Sequence, residues 1–172
     1  MLPRQQCGAF LNCSFELWLR FIAYVFKALA RLQSPLTIRD GDLLAKELFS
    51  GHVKKSGGLT PSAFLINGKS AFGISTDRWS KAPERLFVAL GLASATRRKD
   101  GSKFKGFARF DTASLKSIKL EDSWQMRALG VPTLRNPFHA DIPLPVDKGD
   151  DYYLYVATEL VARATPIPYT PS

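Results

Sequence analysis

Residues 92–110 read LASATRRKDGSKFKGFARF, and whether each side of Asp100-Gly101 is helix or strand sets the architecture. Asp-Gly between patterned arms is a strong two-residue hairpin signal. The expectation is a hairpin with arms over Leu92–Arg98 and Lys103–Phe110. On the second arm Phe104, Gly106, Ala108 and Phe110 would face one way, and Lys105, Phe107 and Arg109 the other. Just upstream, Pro83 suits the first position of a helix and Glu84 complements its dipole. Leu86, Phe87, Ala89 and Leu90 would form the apolar face of that helix, with Gly91 near its end.

Working toward the N-terminus, Ala63–Ile66 and Ala71–Thr76 flank Asn67-Gly68-Lys69-Ser70, a pattern for two short strands. Leu36–Ser50 reads as a short helix capped by Asp40 or Asp42, with Leu43, Leu44 and Phe49 inward. Toward the C-terminus, Asp111 or Thr112 should cap one helical turn through Leu115. Ser117–Leu120 fits a strand, and residues 130–146, with Pro132, Pro137, Pro143 and Pro145, an ordered extended loop. A last helix should begin at Asp150 or Asp151, with Tyr153, Leu154, Ala157, Leu160 and Val161 at helical spacing. Residues 165–172 read as a polyproline-like tail. The order predicts an α+β fold: a small, mainly antiparallel sheet with two to three packed helices and an N-terminal amphipathic helix. The expected organisation is a helical extension over 1–35, one domain over 36–164 and the tail.

The chain has 172 residues, 24 Lys plus Arg and 15 Asp plus Glu, for a formal net charge of +9. Hydrophobic residues make up 45%, which excludes wholesale disorder. The excess charge is local. Residues 35–110 carry fourteen basic and six acidic residues, whereas residues 111–172 carry six basic and eight acidic. Such a skew points to an anionic partner. Cys7 and Cys13 are too close in sequence to staple a core, and a cytoplasmic location is expected. In Ser14–Arg31, Glu16, Arg20, Lys27 and Arg31 fall within about 60° on a helix. The remaining wide apolar face suits a protein partner meeting residues 14–32, with a membrane surface as the less favoured alternative. The apolar run Phe21–Phe26 is too short for a bilayer span.

Two sets of residues carry candidate chemistry. Arg97, Arg98, Lys99, Lys103, Lys105 and Arg109 surround one acid, Asp100. Cations on a hairpin with aromatic arms suit nucleic acid: charges neutralise phosphates and exposed rings stack on bases. The second set is His52, Ser75, Asp77, Arg78 and His139. Converging in one cleft, they would supply a phosphate clamp at Arg78 and a histidine general acid or base. No cofactor and no metal site is expected. His139 and Asp141 share a face of an extended segment, but two histidines without a local motif make a poor ligand set. No GxSxG elbow surrounds Ser75 or Ser62, and Gly68-Lys69-Ser70 lacks the earlier glycine of a phosphate-binding loop.

The elements His52, Thr60-Pro61-Ser62-Ala63-Phe64, Ser75-Thr76-Asp77-Arg78 and Asn136-Pro137-Phe138-His139 resemble a pattern in a group of small bacterial proteins of unknown function. The resemblance spans roughly residues 48–145. It implies no known reaction, but it draws attention to the polar positions just named. The favoured expectation is a nucleic-acid-contacting binding protein of a bacterial defence or toxin-like gene pair. The alternatives are an enzyme acting on a nucleotide or phosphorylated substrate, and an interaction module using the N-terminal helix.

Overall fold

The computed structural model describes residues 38–66, 73–120, 125–133, 135–146 and 148–171. The expected N-terminal helix, the two cysteines and the Asn67-Gly68 turn lie outside these residues. The fold is α+β, with a six-stranded antiparallel sheet in the order β4-β5-β2-β1-β3-β6. The strands are β1 (Leu43–Phe49), β2 (Ile74–Arg78), β3 (Phe104–Asp111), β4 (Leu129–Gly130), β5 (His139–Ile142) and β6 (Thr165–Pro168). Among the described residues, three α-helices join them: α1 (Glu84–Arg97), α2 (Thr112–Lys116) and α3 (Asp150–Arg163). Among the described residues, no helix is long and apolar enough to cross a membrane.

The sheet separates two layers of core. On one side Leu44, Leu48, Ala108, Phe110 and Ile142 meet Leu115 of α2 and Val156, Ala157 and Leu160 of α3. On the other side Ala45, Phe49, Phe104 and Phe107 meet Phe87 of α1, with Trp79 and Phe138 packed around them. Trp79 stacks on Phe87 with ring centroids 5.1 Å apart.

Several expectations are corrected. Leu43–Phe49 is the strand β1, paired with both β2 and β3, not a helix. Because both its faces are buried, it reads as a nearly continuous apolar run, which periodicity does not separate from a helix. The arm expected over Leu92–Arg98 belongs to α1, which runs on through Gly91 to Arg97. Asp100-Gly101 is therefore a helix-to-strand turn. Gly91 is not a terminator: a Cβ there would run into the ring of Phe104, so the glycine lets α1 pack closely on the sheet.

The facing of β3 also differs. Leu48 pairs with Gly106 while Phe49 pairs with Phe104, so Lys105 is an extra residue in a β-bulge. A bulge shifts the alternation by one. It places Phe104 on the α1 side with Phe107, and away from Ala108 and Phe110.

Ala63–Ile66, expected as a strand, instead closes the 3₁₀ turn Pro61–Ala63 and continues as irregular chain, and Ser117–Leu120 is the irregular exit from α2. The proline-rich stretch holds β5. The polyproline-like tail is instead, over Thr165–Pro168, the edge strand β6 on β3. The Tyr169 N–H donates to the Lys105 carbonyl. By antiparallel alternation, the inward donors are then residues 165, 167 and 169, and the outward positions are Pro166 and Pro168. Proline fits there because an outward N–H on an edge has no strand to serve.

Candidate functional site

A cleft of about 250 Å³ opens between the sheet and the C-terminal half of α1. Strand alternation builds its floor. Asp77 pairs with Ala45 and with His139, and Ser75 pairs with Asp141. These side chains therefore share the α1 face. Glu47 joins them from β1, and its carboxylate accepts a hydrogen bond from Ser94 of α1 at 3.2 Å. Arg97 lines the cleft from α1, and Arg135 and Asn136 from the β4–β5 connection.

His139 is the centre of this arrangement. Its Nδ1 lies 3.7 Å from Asp77 Oδ1 and its Nε2 lies 3.2 Å from Asp141 Oδ1. Ser75 Oγ is 3.5 Å from the same Nε2. Burial works against a charge on the ring, but the hydrogen bonds and negative charge of Asp141 and Asp77 outweigh it and hold the pKa up to about 9. The ring is thus a cation at neutral pH. It cannot take a proton from Ser75, so the Ser75–His139 contact does not activate a nucleophile there. A protonated imidazole can donate a proton or stabilise negative charge.

Asp77 is buried and held from a second direction. Asn136 Nδ2 donates to Asp77 Oδ1 at 2.5 Å. Asn136 is itself fixed, since its side-chain oxygen accepts from the Phe138 N–H at 3.0 Å. Glu47 has its pKa raised, first by burial and then by the charge of Asp77, while the Ser94 hydrogen bond opposes the shift. Glu47 and His139 thus form a carboxylate and an imidazolium in one cleft, each displaced upward from its ordinary value.

Of the five residues expected to converge, Ser75, Asp77 and His139 do. Arg78 does not. It pairs with Leu44, on the opposite face of β2 from Asp77, and is 2% exposed. Its guanidinium lies 3.5 Å from Asp42, tying β2 to the approach of β1. Consecutive strand residues point to opposite faces, so Asp77 and Arg78 cannot both enter one cleft. His52 is also elsewhere. Its Nδ1 accepts from the Phe49 N–H at 3.2 Å in the turn after β1, and its ring lies edge-on to Phe49.

The basic set is divided. Arg97 lines the cleft, with Nη2 3.1 Å from Ser94 Oγ. Arg98 lies 4.3 Å above the Phe49 ring and pairs with Asp100 at 2.9 Å. Lys99, Lys103 and Lys105 are exposed, whereas Arg109 is half-buried on β3. Phe104, Phe107 and Phe110 are all core, so the base-stacking rings expected on the hairpin arms are not presented.

Sequence reasoning missed Glu47, and it noticed the Arg135–Asn136 stretch without joining it to the converging set. Glu47 was hidden by the helical reading of β1. Among the described residues, no group of three or more His, Cys, Asp or Glu is placed to hold a metal ion. Both nitrogens of His139 already face carboxylates. No family model, curated protein or solved structure matches the chain.

Proposed function

We propose that this chain is an acid–base enzyme that hydrolyses a phosphorylated substrate in the cleft beneath α1. The observation that carries the reading is the convergence of His139 and Glu47 on one floor, with Arg97 and Arg135 beside them. The two arginines are suited to bind phosphate oxygens in a planar, bidentate manner. Glu47 takes a proton from an attacking water as its oxygen bonds to phosphorus. The bond from phosphorus to the leaving oxygen breaks, and His139 delivers to that oxygen the Nε2 proton it otherwise shares with Asp141, while Asp77 stays on Nδ1. Asp141 and Asp77 orient the imidazole and keep it protonated. Ser75 and Asn136 are positioning residues, the first beside Nε2 and the second through Asp77.

The test is turnover of p-nitrophenyl phosphate and bis(p-nitrophenyl) phosphate. His139→Gln and Glu47→Gln should each lower kcat by about 100-fold or more, the usual effect of removing a general acid or base. The wild-type rate should rise with pH as Glu47 ionises and fall near pH 9 as His139 loses its proton. A wild-type chain that turns over neither ester, or variants that keep the wild-type rate, would defeat the proposal.

A further inference from the structure

We infer that the substrate is a single nucleic-acid strand, led to the cleft across a basic face formed by two loops, residues 50–59 and 98–105. This inference rests on the acid–base reading of the cleft and names its substrate. The two loops are distant in sequence but joined in space. The Lys103 N–H donates to Ser50 Oγ at 3.0 Å. Arg98 from one loop and His52 from the other both lie on the ring of Phe49. The first loop is closed by the Lys54 N–H to the Gly58 carbonyl and by the Val53–Leu59 bridge. Its tip carries Lys54 and Lys55, both exposed.

The two loops together contain Lys54, Lys55, Arg98, Lys99, Lys103 and Lys105, against the single acid Asp100. The half-buried His52 feels the nearest of these cations: its pKa is lowered first by burial, then by Lys46 of β1 and by Arg98. Arg97, one residue before Arg98, lines the cleft. Glu47 of the cleft and Phe49 beneath Arg98 are alternate residues on one face of β1, so the basic face adjoins the cleft in space.

The chemistry favours a nucleic-acid strand over a lipid surface. The aromatic rings beneath the face, Phe49 and Phe104, are buried, so neither ring is offered to a bilayer interface. They are equally withheld from bases. Binding then depends on phosphates, which carry no sequence information by themselves. At about 250 Å³ the cleft falls just below the usual range of ligand sites, a size suited to one phosphodiester of a flexible single strand. Asp100 acts as a brake, because it occupies the guanidinium of Arg98 with two hydrogen bonds.

The experiment uses the full chain, a short mixed-sequence fluorescent oligonucleotide and a salt series. Binding of a single strand loses about 0.7 in the log–log salt slope for each phosphate contact removed. The combined variant Lys54→Gln, Lys55→Gln, Lys99→Gln and Lys103→Gln should flatten that slope by about 2 to 3. It should leave p-nitrophenyl ester turnover unchanged. Asp100→Asn should tighten binding. The chain has two histidines, and each reports one place. The oligonucleotide should raise the NMR titration midpoint of His52, whereas a small phosphate ester should move His139 alone. An unaltered slope in the combined variant, or binding to phosphatidylglycerol vesicles but not to the oligonucleotide, overturns the inference and leaves the cleft reading standing. Loss of the cleft reading shows separately, as absent turnover of the small esters.

Discussion

His139 couples the site to stability. A group whose folded pKa is raised stabilises the fold while it is protonated in the folded state more firmly than in the unfolded one. The unfolded imidazole titrates near 6.5, and the folded one is held up to about 9. The stabilisation is therefore complete below about pH 6.5. It is lost progressively as pH rises through about 9. Its size is of order 3 kcal/mol. Urea unfolding of the wild type at pH 6 and pH 9.5 should show that loss, and His139→Gln should remove this part of the pH dependence. A wild-type midpoint that does not move over this range would contradict it. At this scale the sequence was partly legible. Ser75, Asp77 and His139 stood out as polar residues at a strand end and in a proline-rich loop. Arg78 was misplaced because adjacency in sequence was read as adjacency in space, which strand alternation forbids.

At the scale of elements, two glycines show why sequence signals were misread. Gly91 resembled a helix end, and ending α1 there turned the rest of it into a strand. Its role is close packing, since the ring of Phe104 occupies the space a Cβ would need. Gly91→Ala pits a gain in helix propensity of about 1 kcal/mol against overpacking of about 1–3 kcal/mol. The buried cluster of Phe87, Phe104 and Phe107 has little room to yield, so we expect a net loss of about 1–2 kcal/mol, read as a lower urea midpoint. A stabilised variant would show that α1 can lift off the sheet at little cost. Gly106 sits in the β3 bulge at φ 120°, a conformation that side chains disfavour, and a Cβ there would meet the Ile167 carbonyl. The bulge inverts which residues share a face, so strict alternation from Phe104 assigned that ring to the wrong layer. By contrast, α2 with its Asp111 cap and α3 starting at Asp150 were readable. Their capping and dipole signals are local and need no knowledge of a neighbour.

For the whole molecule, charge and sheet edges decide what the protein can meet. Of the +9 excess, the two loops of the basic face hold +5, while in the cleft cations and carboxylates nearly balance. The β6 edge adds a different constraint. Its outward positions are Pro166 and Pro168, so that rim presents carbonyls but no amide donors. Pro166→Val with Pro168→Val should raise the self-associated fraction in light scattering at high concentration, because it restores donors to an exposed edge. An unchanged mass distribution would assign the prolines to chain direction alone. The opposite edge, β4, is only two residues long. With one rim lacking donors and the other too short to template a ladder, an incoming strand finds little backbone to copy on either side. Among the described residues, neither rim invites a seventh strand, so contacts with other molecules fall to side chains and loops rather than to sheet extension.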